Sequence, residues 1–250
     1  ANLSAAAVAG LTTAQAGGLT TAQLVALTPD QIASMETADV AAIGLPQLAA
    51  LSQAQVDTEK NILRTEAACK TTWNYLSEMV RQLNVLVPRG PQFTVDGKTP
   101  WPVMKLIEFR ADSRKKMLRD REVFATIGVG WDIVPKEGKP ITEKVIVNFM
   151  PELQKVEGRL QAGNVQHERS QVRHPEKNSV QAIQFEYRTF ANGSVTVTPN
   201  HEAGTMTFRF SNVSGLAVQT GTWKSDLIDS AFLDELAKLL VSQPSRLFPG

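Results

Sequence analysis

An eight-residue repeat fills the first quarter of the chain and constrains the fold more than any other feature. Its copies begin at Leu3, Leu11, Leu19, Leu27, Met35, Ile43 and Leu51, and position six carries Val8, Ala16, Leu24, Ile32, Val40, Leu48 and Val56. Position two is mostly Ser or Thr (Ser4, Thr12, Thr20, Thr28, Ser52). Position five is mostly Gln (Gln15, Gln23, Gln31, Gln47, Gln55), with Ala7 and Asp39 as exceptions. Ser or Thr followed three residues later by Gln is a capping box, in which hydroxyl and amide each satisfy an orphan backbone N–H. Thr12–Gln15, Thr20–Gln23, Thr28–Gln31 and Ser52–Gln55 fit it. With Thr20 as N-cap, Leu19 and Leu24 take the two positions of a hydrophobic staple. Pro29 falls at the first helical position, where its missing N–H costs nothing.

A single long helix explains this pattern poorly. Eight residues at about 100° each leave a drift of roughly 80° per copy, so the apolar stripe would wind around the rod. The repeated Thr, Gly17–Gly18, Gly44 and Pro46 also oppose it. A β-solenoid fails because positions one and six have opposite parity and would face opposite sides. Short helices restarting every eight residues are therefore expected over 1–58. One unit cannot bury its own staple, so the copies should stack as a solenoid. Its expected core is Leu11, Leu19, Leu24, Leu27, Ile32, Met35, Val40, Ile43, Leu48, Leu51 and Val56.

Leu19-Thr20-Thr21-Ala22-Gln23-Leu24 and Met35-Glu36-Thr37-Ala38-Asp39-Val40 resemble the Leu-Thr-x-x-Gln repeat arrays of large bacterial adhesin-like or haem-utilisation-like proteins. The resemblance covers residues 3–58 and leaves the remainder unassigned. It implies a bacterial source and an extracellular or cell-surface protein, with a cytoplasmic one still open, and it offers no catalytic residues to transfer. A repeat that is under way by residue 3 suggests a processed or excised piece of a longer array.

Composition narrows the rest. With 250 residues, 42% hydrophobic and 20% charged, the chain has the makeup of one or two globular domains. A net charge of +1 argues against a strong electrostatic commitment to nucleic acid or anionic lipid. Residues 1–56 hold Asp30, Glu36 and Asp39 and no Lys or Arg, so the positive excess lies beyond them. No run approaches the roughly 20 apolar residues of a membrane helix, so no transmembrane segment is expected. A single cysteine, Cys69, excludes an internal disulfide framework and a multi-cysteine zinc site.

From residue 59 the periodicity changes. Ile62, Cys69, Trp73, Leu76, Val80, Leu83 and Val87 keep helical spacing and predict an amphipathic helix over 59–87, ending before Pro88. Cys69 on its apolar face reads as a buried, inert thiol, since its sequence neighbours supply no base. Residues 88–250 read as an α+β module. Pro88–Pro102 is a loop with a short strand at Phe93–Val95. Val103–Arg110 and Val123–Val134 are strand-like around a basic connection. Ile141–Phe149 suggests a strand and Pro151–Leu160 a short helix. Beyond it, Ile183, Phe185 and Tyr187 alternate, as do Val195 and Val197, then Met206, Phe208 and Phe210, then Leu216 and Val218. With turns at Asn192–Gly193, Pro199–Gly204 and Ser211–Gly215, they predict an antiparallel meander of about four strands. A C-terminal helix starting at Ser225 or Asp226 carries Ile228, Phe232, Leu236, Leu239 and Leu240.

Candidate chemistry is sparse. His167 with Glu168, and His174 with Glu176, lie in a polar stretch, 161–178, that reads as exposed loop; their spacing matches neither a helical zinc pair nor a finger. His201-Glu202 reads as a solvated hairpin turn. Gly128-x-Gly130 lacks a third glycine and a phosphate-binding Lys. Gly-x-Ser-x-Gly does not occur, and Asp234–Glu235 sits on the polar side of a helix. No catalytic residue, cofactor or metal is therefore expected, although a hydrolase site assembled from scattered residues stays open. The best polar candidate is the basic cluster Arg110, Arg114, Lys115, Lys116, Arg119 and Arg121, interleaved with Glu108, Asp112, Asp120 and Glu122. It fits either a solvated connection laced with ion pairs or contact with nucleic acid or glycan. The expectation is a structural or interaction protein, partnered by another protein or by its own copies, with the repeat as spacer or docking surface.

Overall fold

The computed structural model describes residues 4–35 and 37–248. It divides into two compact units, Ala1–Leu63 and Arg64–Gly250. The chain is a mixed α+β protein, and the start at Leu3 and the Glu36 position of the repeat lie outside the described residues.

In the first unit the octads form short helices: α1 (Ala5–Ala9), α2 (Thr13–Gly17), α3 (Thr21–Val25), α4 (Pro29–Ala33) and α5 (Thr37–Ala42). Ser4, Thr12, Thr20 and Thr28 are N-caps with extended backbone, each hydroxyl accepting from the N–H three residues on. The boxes at Thr12, Thr20 and Thr28 are closed by Gln side chains that accept from the cap N–H at 2.9, 2.8 and 2.6 Å. At Ser4 the box position is Ala7, whose methyl group cannot return the bond. Val8, Ala16, Leu24, Met35 and Ile43 form a small buried core, with Leu11, Leu19 and Leu27 packed against it. The contacts skip two copies: α1 packs on α4 and α2 on α5. A third link has the same step, because Gln47 Nε2 of the sixth copy donates to the carbonyl of Leu19, at the head of the third, at 2.9 Å. Gly17 serves this packing, for a Cβ there would sit 3.2 Å from the Ala42 carbonyl oxygen.

The restart does not persist through all seven copies. Helix α6 runs unbroken over Leu45–Leu86, so the predicted cap at Ser52 lies inside a helix and the predicted boundary at 59 marks no break. After Pro46 there is neither Gly nor Pro until Pro88, and Ala, Leu, Gln, Glu and Lys dominate. These strong helix formers let the turn propagate past a cap signal. Two expected core residues are corrected with it: Val40 and Val56 are exposed, at 36% and 45%. Asp39, beside Val40, is the buried residue of that pair. The Leu48 and Leu51 side chains lie outside the described residues.

The second unit places Ala68, Cys69, Leu76, Met79, Val80 and Leu83 of α6 in one core with two antiparallel sheets. Val87 is exposed, not core, because the helix stops at Leu86 and Val87 takes a left-handed φ of 45°. Strands β1 (Met104–Leu118) and β2 (Arg121–Pro135) form a long hairpin. Its two-residue turn, Arg119–Asp120, has φ of 46° and 61°, the both-positive signature of a turn whose twist matches the strands. The predicted basic connection at 110–121 is therefore mostly strand. Strand β3 (Thr142–Val147) leads to α7 (Met150–Ala162), β4 (His167–Arg173) and β5 (Val180–Arg188). Strands β6 (Ala191–Asn200), β7 (Thr205–Ser211), β8 (Val218–Lys224) and α8 (Ser230–Leu240) complete the described elements. The five-stranded sheet is ordered β1-β2-β6-β7-β8 and the three-stranded one β3-β5-β4.

Several sequence expectations shift accordingly. The four-strand meander is split, since β5 pairs with β3 and β4 while only β6, β7 and β8 continue as neighbours. Leu216 is buried but precedes β8. Residues 161–178 are not a single exposed loop, because β4 crosses them. Asn192–Gly193 lies inside β6. Gly193 is paired with Trp131, and a Cβ there would come within 2.1 Å of the indole. The glycine makes room for a ring lying across its neighbour strand. Helix α8 begins later than expected: Ser225–Leu227 is a 3-10 turn, and Asp229 caps the helix by accepting from Phe232 N–H at 2.9 Å.

Two side chains in this unit act as local pins. At the β1 bulge, where Glu108 has φ 54°, Asn84 of α6 accepts from Phe109 N–H at 2.8 Å and donates to the Phe109 carbonyl at 2.9 Å. The amide stands in for the strand partner that the bulge removes. Asn212, buried after β7, donates to the carbonyls of Gly163 and Asn192, both at 2.8 Å.

Candidate functional site

Among the described residues, one group of metal-ligating side chains, two of them buried and one half-buried, joins three residues that the sequence presents separately. Glu66 and Cys69 are three apart on α6, hence on one helix face. His201 opens the turn between β6 and β7. Their ligand atoms all lie within 4.8 Å of one another. His201 Nε2 is 3.2 Å from Glu66 Oε2, which also accepts from the Phe124 N–H of β2 at 3.1 Å. His201 is 2% exposed and Cys69 is fully buried. Beside them Thr65 Oγ1 is 2.8 Å from Ser225 Oγ, another polar pair inside the core.

Two of these placements bear on earlier expectations. Cys69 is a buried thiol, as its position on the apolar stripe implied. Burial first, and the Glu66 carboxylate second, push it up to about 12, so at neutral pH it is protonated. His201 is not solvated. Val195, Val197 and Pro199 are the inward residues of β6, and His201 continues that parity by one more step. Extending the period-two pattern into the turn would have found it. The pairing with Glu66 had no signal, since 135 residues separate them. His201 Nδ1 is buried without a hydrogen-bond partner.

The basic cluster is spread along the β1–β2 hairpin and is partly neutralised. Arg110 pairs with Asp132 at 3.1 Å, Lys115 with Glu122 at 2.7 Å, and Arg119 with Glu202 at 2.9 Å. Lys115 also lies over the Phe124 ring, 5.8 Å from its centroid. Arg114 and Lys116 of β1 are exposed and form no ion pair among the described residues. Exposed pairs such as these contribute little stability, but they lower the field available to a polyanion.

The other histidines do not converge. His167 Nδ1 is held 2.8 Å from the Val165 carbonyl, at the edge of a 200 Å³ recess lined by Glu168, Glu186 and Tyr187. His174 Nδ1 accepts from the backbone N–H groups of Glu176 and Lys177 at 3.2 and 3.3 Å, closing a turn. A larger groove of about 590 Å³ runs between α6 and α8, lined by Tyr75, Met79, Leu83, Leu86 and Val241. Tyr75 donates to Asp234 Oδ1 across it at 2.6 Å. Asp234 thus links the two helices. No helix among the described residues is long and apolar enough to cross a membrane. Compared with protein-family models, curated proteins and solved structures, the chain finds no match.

Proposed function

We propose that the protein is a non-enzymatic structural or interaction component of a bacterial surface or secreted assembly, with the octads acting as a spacer or docking surface. The observation that carries this reading is the step of three copies in the first unit, seen in α1 on α4, α2 on α5 and Gln47 on Leu19. These three links support reading the octads as a spiral of three helices per turn. Such a solenoid grows by a constant increment, about 8–10 Å of stacked helix for every three octads. The resemblance of Leu19–Leu24 and Met35–Val40 to bacterial repeat arrays supports the surface or secreted setting. Duplicating residues 11–34 in the full chain adds one turn of the spiral. Circular dichroism should then show helical content rising in step with the three added octads, and amide exchange should show them protected like the originals. An insert that stays unstructured removes the reading.

A second reading, contact with nucleic acid or glycan, is favoured by the two exposed cations without ion-pair partners on β1. It narrows the interface to Arg114 and Lys116, with Arg110, Lys115 and Arg119 engaged elsewhere. Binding that falls steeply with salt and is lost in the Arg114→Ala, Lys116→Ala double variant would support it. A parent chain that binds no polyanion at low salt ends it.

A further inference from the structure

We propose that Glu66, Cys69 and His201 form a site for a zinc-class divalent ion that fastens helix α6 to the turn between β6 and β7. The donor set selects the chemistry. A thiolate, an imidazole and one carboxylate match the borderline-soft Zn(II), whereas calcium and magnesium need cages of oxygen.

Geometry agrees. Around a tetrahedral zinc with bonds of about 2.0–2.1 Å to nitrogen and oxygen, those two ligand atoms sit roughly 3.3 Å apart. His201 Nε2 and Glu66 Oε2 are 3.2 Å apart, and Cys69 Sγ lies within 4.8 Å of both. A side-chain shift of an ångström or so closes the set. Charge agrees as well. A dication balanced by one thiolate and one carboxylate is neutral overall, the condition under which ions are tolerated in a protein interior.

Without an ion, Cys69 is a free thiol buried in the hydrophobic core. Binding breaks the Cys69 S–H bond, forms a metal–sulfur bond and releases one proton to solvent; the metal's oxidation state does not change. His201 binds as the neutral imidazole and Glu66 as the carboxylate. Three protein ligands leave the fourth position to water. Because Glu66 and Cys69 belong to the helix and His201 to a distant turn, the binding free energy adds directly to the stability of the second unit. The site is independent of what the octads do.

The test uses the full chain, stripped with chelator and kept reduced, then titrated with Co(II) and with Zn(II) against a chromophoric competitor. One equivalent should bind. Cobalt should give a sulfur-to-metal charge-transfer band with tetrahedral d–d absorption, and zinc should displace it. About one proton should be released per ion, and the midpoint of thermal unfolding should rise. Cys69→Ser should abolish the charge-transfer band and weaken binding at least tenfold. His201→Asn should weaken it similarly, and His174→Ala, at a surface turn, should leave it unchanged. If the folded parent binds no stoichiometric ion, or shows no sulfur–cobalt band, the site does not exist. Equal binding by Cys69→Ser, or loss of binding in His174→Ala, overturns the assignment just as firmly. The parent chain's spectrum decides even where a variant fails to fold.

Discussion

The two units solve the problem of burying apolar surface in opposite ways. In the octads, the turns at Thr12, Thr20 and Thr28 are specified locally: a hydroxyl and an amide three residues apart close their own box, and the core is a thin line of Val8, Ala16, Leu24, Met35 and Ile43. In the second unit the core is aromatic and non-local. Phe208 alone meets Phe210, Trp223 and Phe232 at ring-centroid distances of 6.3, 5.6 and 5.3 Å. The first scheme gives many small, repeated contributions. The second concentrates stability in a few large side chains that come together only once the sheet has formed.

That contrast can be tested by removing one element from each scheme. Phe208→Ala deletes a fully buried ring and should cost about 3–5 kcal/mol, read from denaturant unfolding of the second unit. Leu24→Ala, the largest fully buried side chain of the octads, should cost about 2–3 kcal/mol, because a thin core collapses more readily around the gap. A larger loss for Leu24 than for Phe208 would break the comparison. Thr20→Ala removes one cap and should cost about 1 kcal/mol, with faster amide exchange in α3, whereas Thr20→Ser should restore most of it. Fast exchange in both variants would show that the hydroxyl is not what holds that turn.

The smallest effect is a pH response in the loop before β1. Burial works against ionisation of Asp96, yet the N–H groups of Thr99 and Lys98 and the hydroxyls of Thr99 and Thr94 outweigh it and lower the carboxyl to about 2. Its folded value lies below the unfolded one of about 3.9. The contribution is therefore complete above pH 4 and is lost as pH falls through 2. Asp96→Asn should lower the unfolding midpoint slightly at neutral pH and flatten its fall between those limits. A parallel acid curve for parent and variant would mean that the turn is indifferent to the charge.

How much was legible in the sequence follows the same divide. The caps at Thr12, Thr20 and Thr28 were readable because every atom they need lies within four residues. The long helix was half readable: Cys69, Leu76, Val80 and Leu83 keep helical spacing, but the octad pattern of Ser52 and Gln55 overlaps a stretch that prefers to continue the helix. Strand β5 was recognised by its alternation yet given the wrong neighbours, since nothing in Ile183, Phe185 and Tyr187 says which edge they will meet. The same limit hid the buried cluster. Glu66 and Cys69 share a helix face by spacing alone, but only the register of β6 brings His201 to them.

Gly17 gives the octads an order that their similar sequences conceal. Its neighbours at the same position of the repeat are Ala9, Val25 and Ala33, so the copies look like interchangeable bricks. Exchanging the second copy with the third would set the Val25 side chain here, with its Cβ 3.2 Å from the Ala42 carbonyl oxygen, so α5 would have to give by a few tenths of an ångström. Shuffling that preserves composition, length and every cap would still ask that one course of the wall to shift.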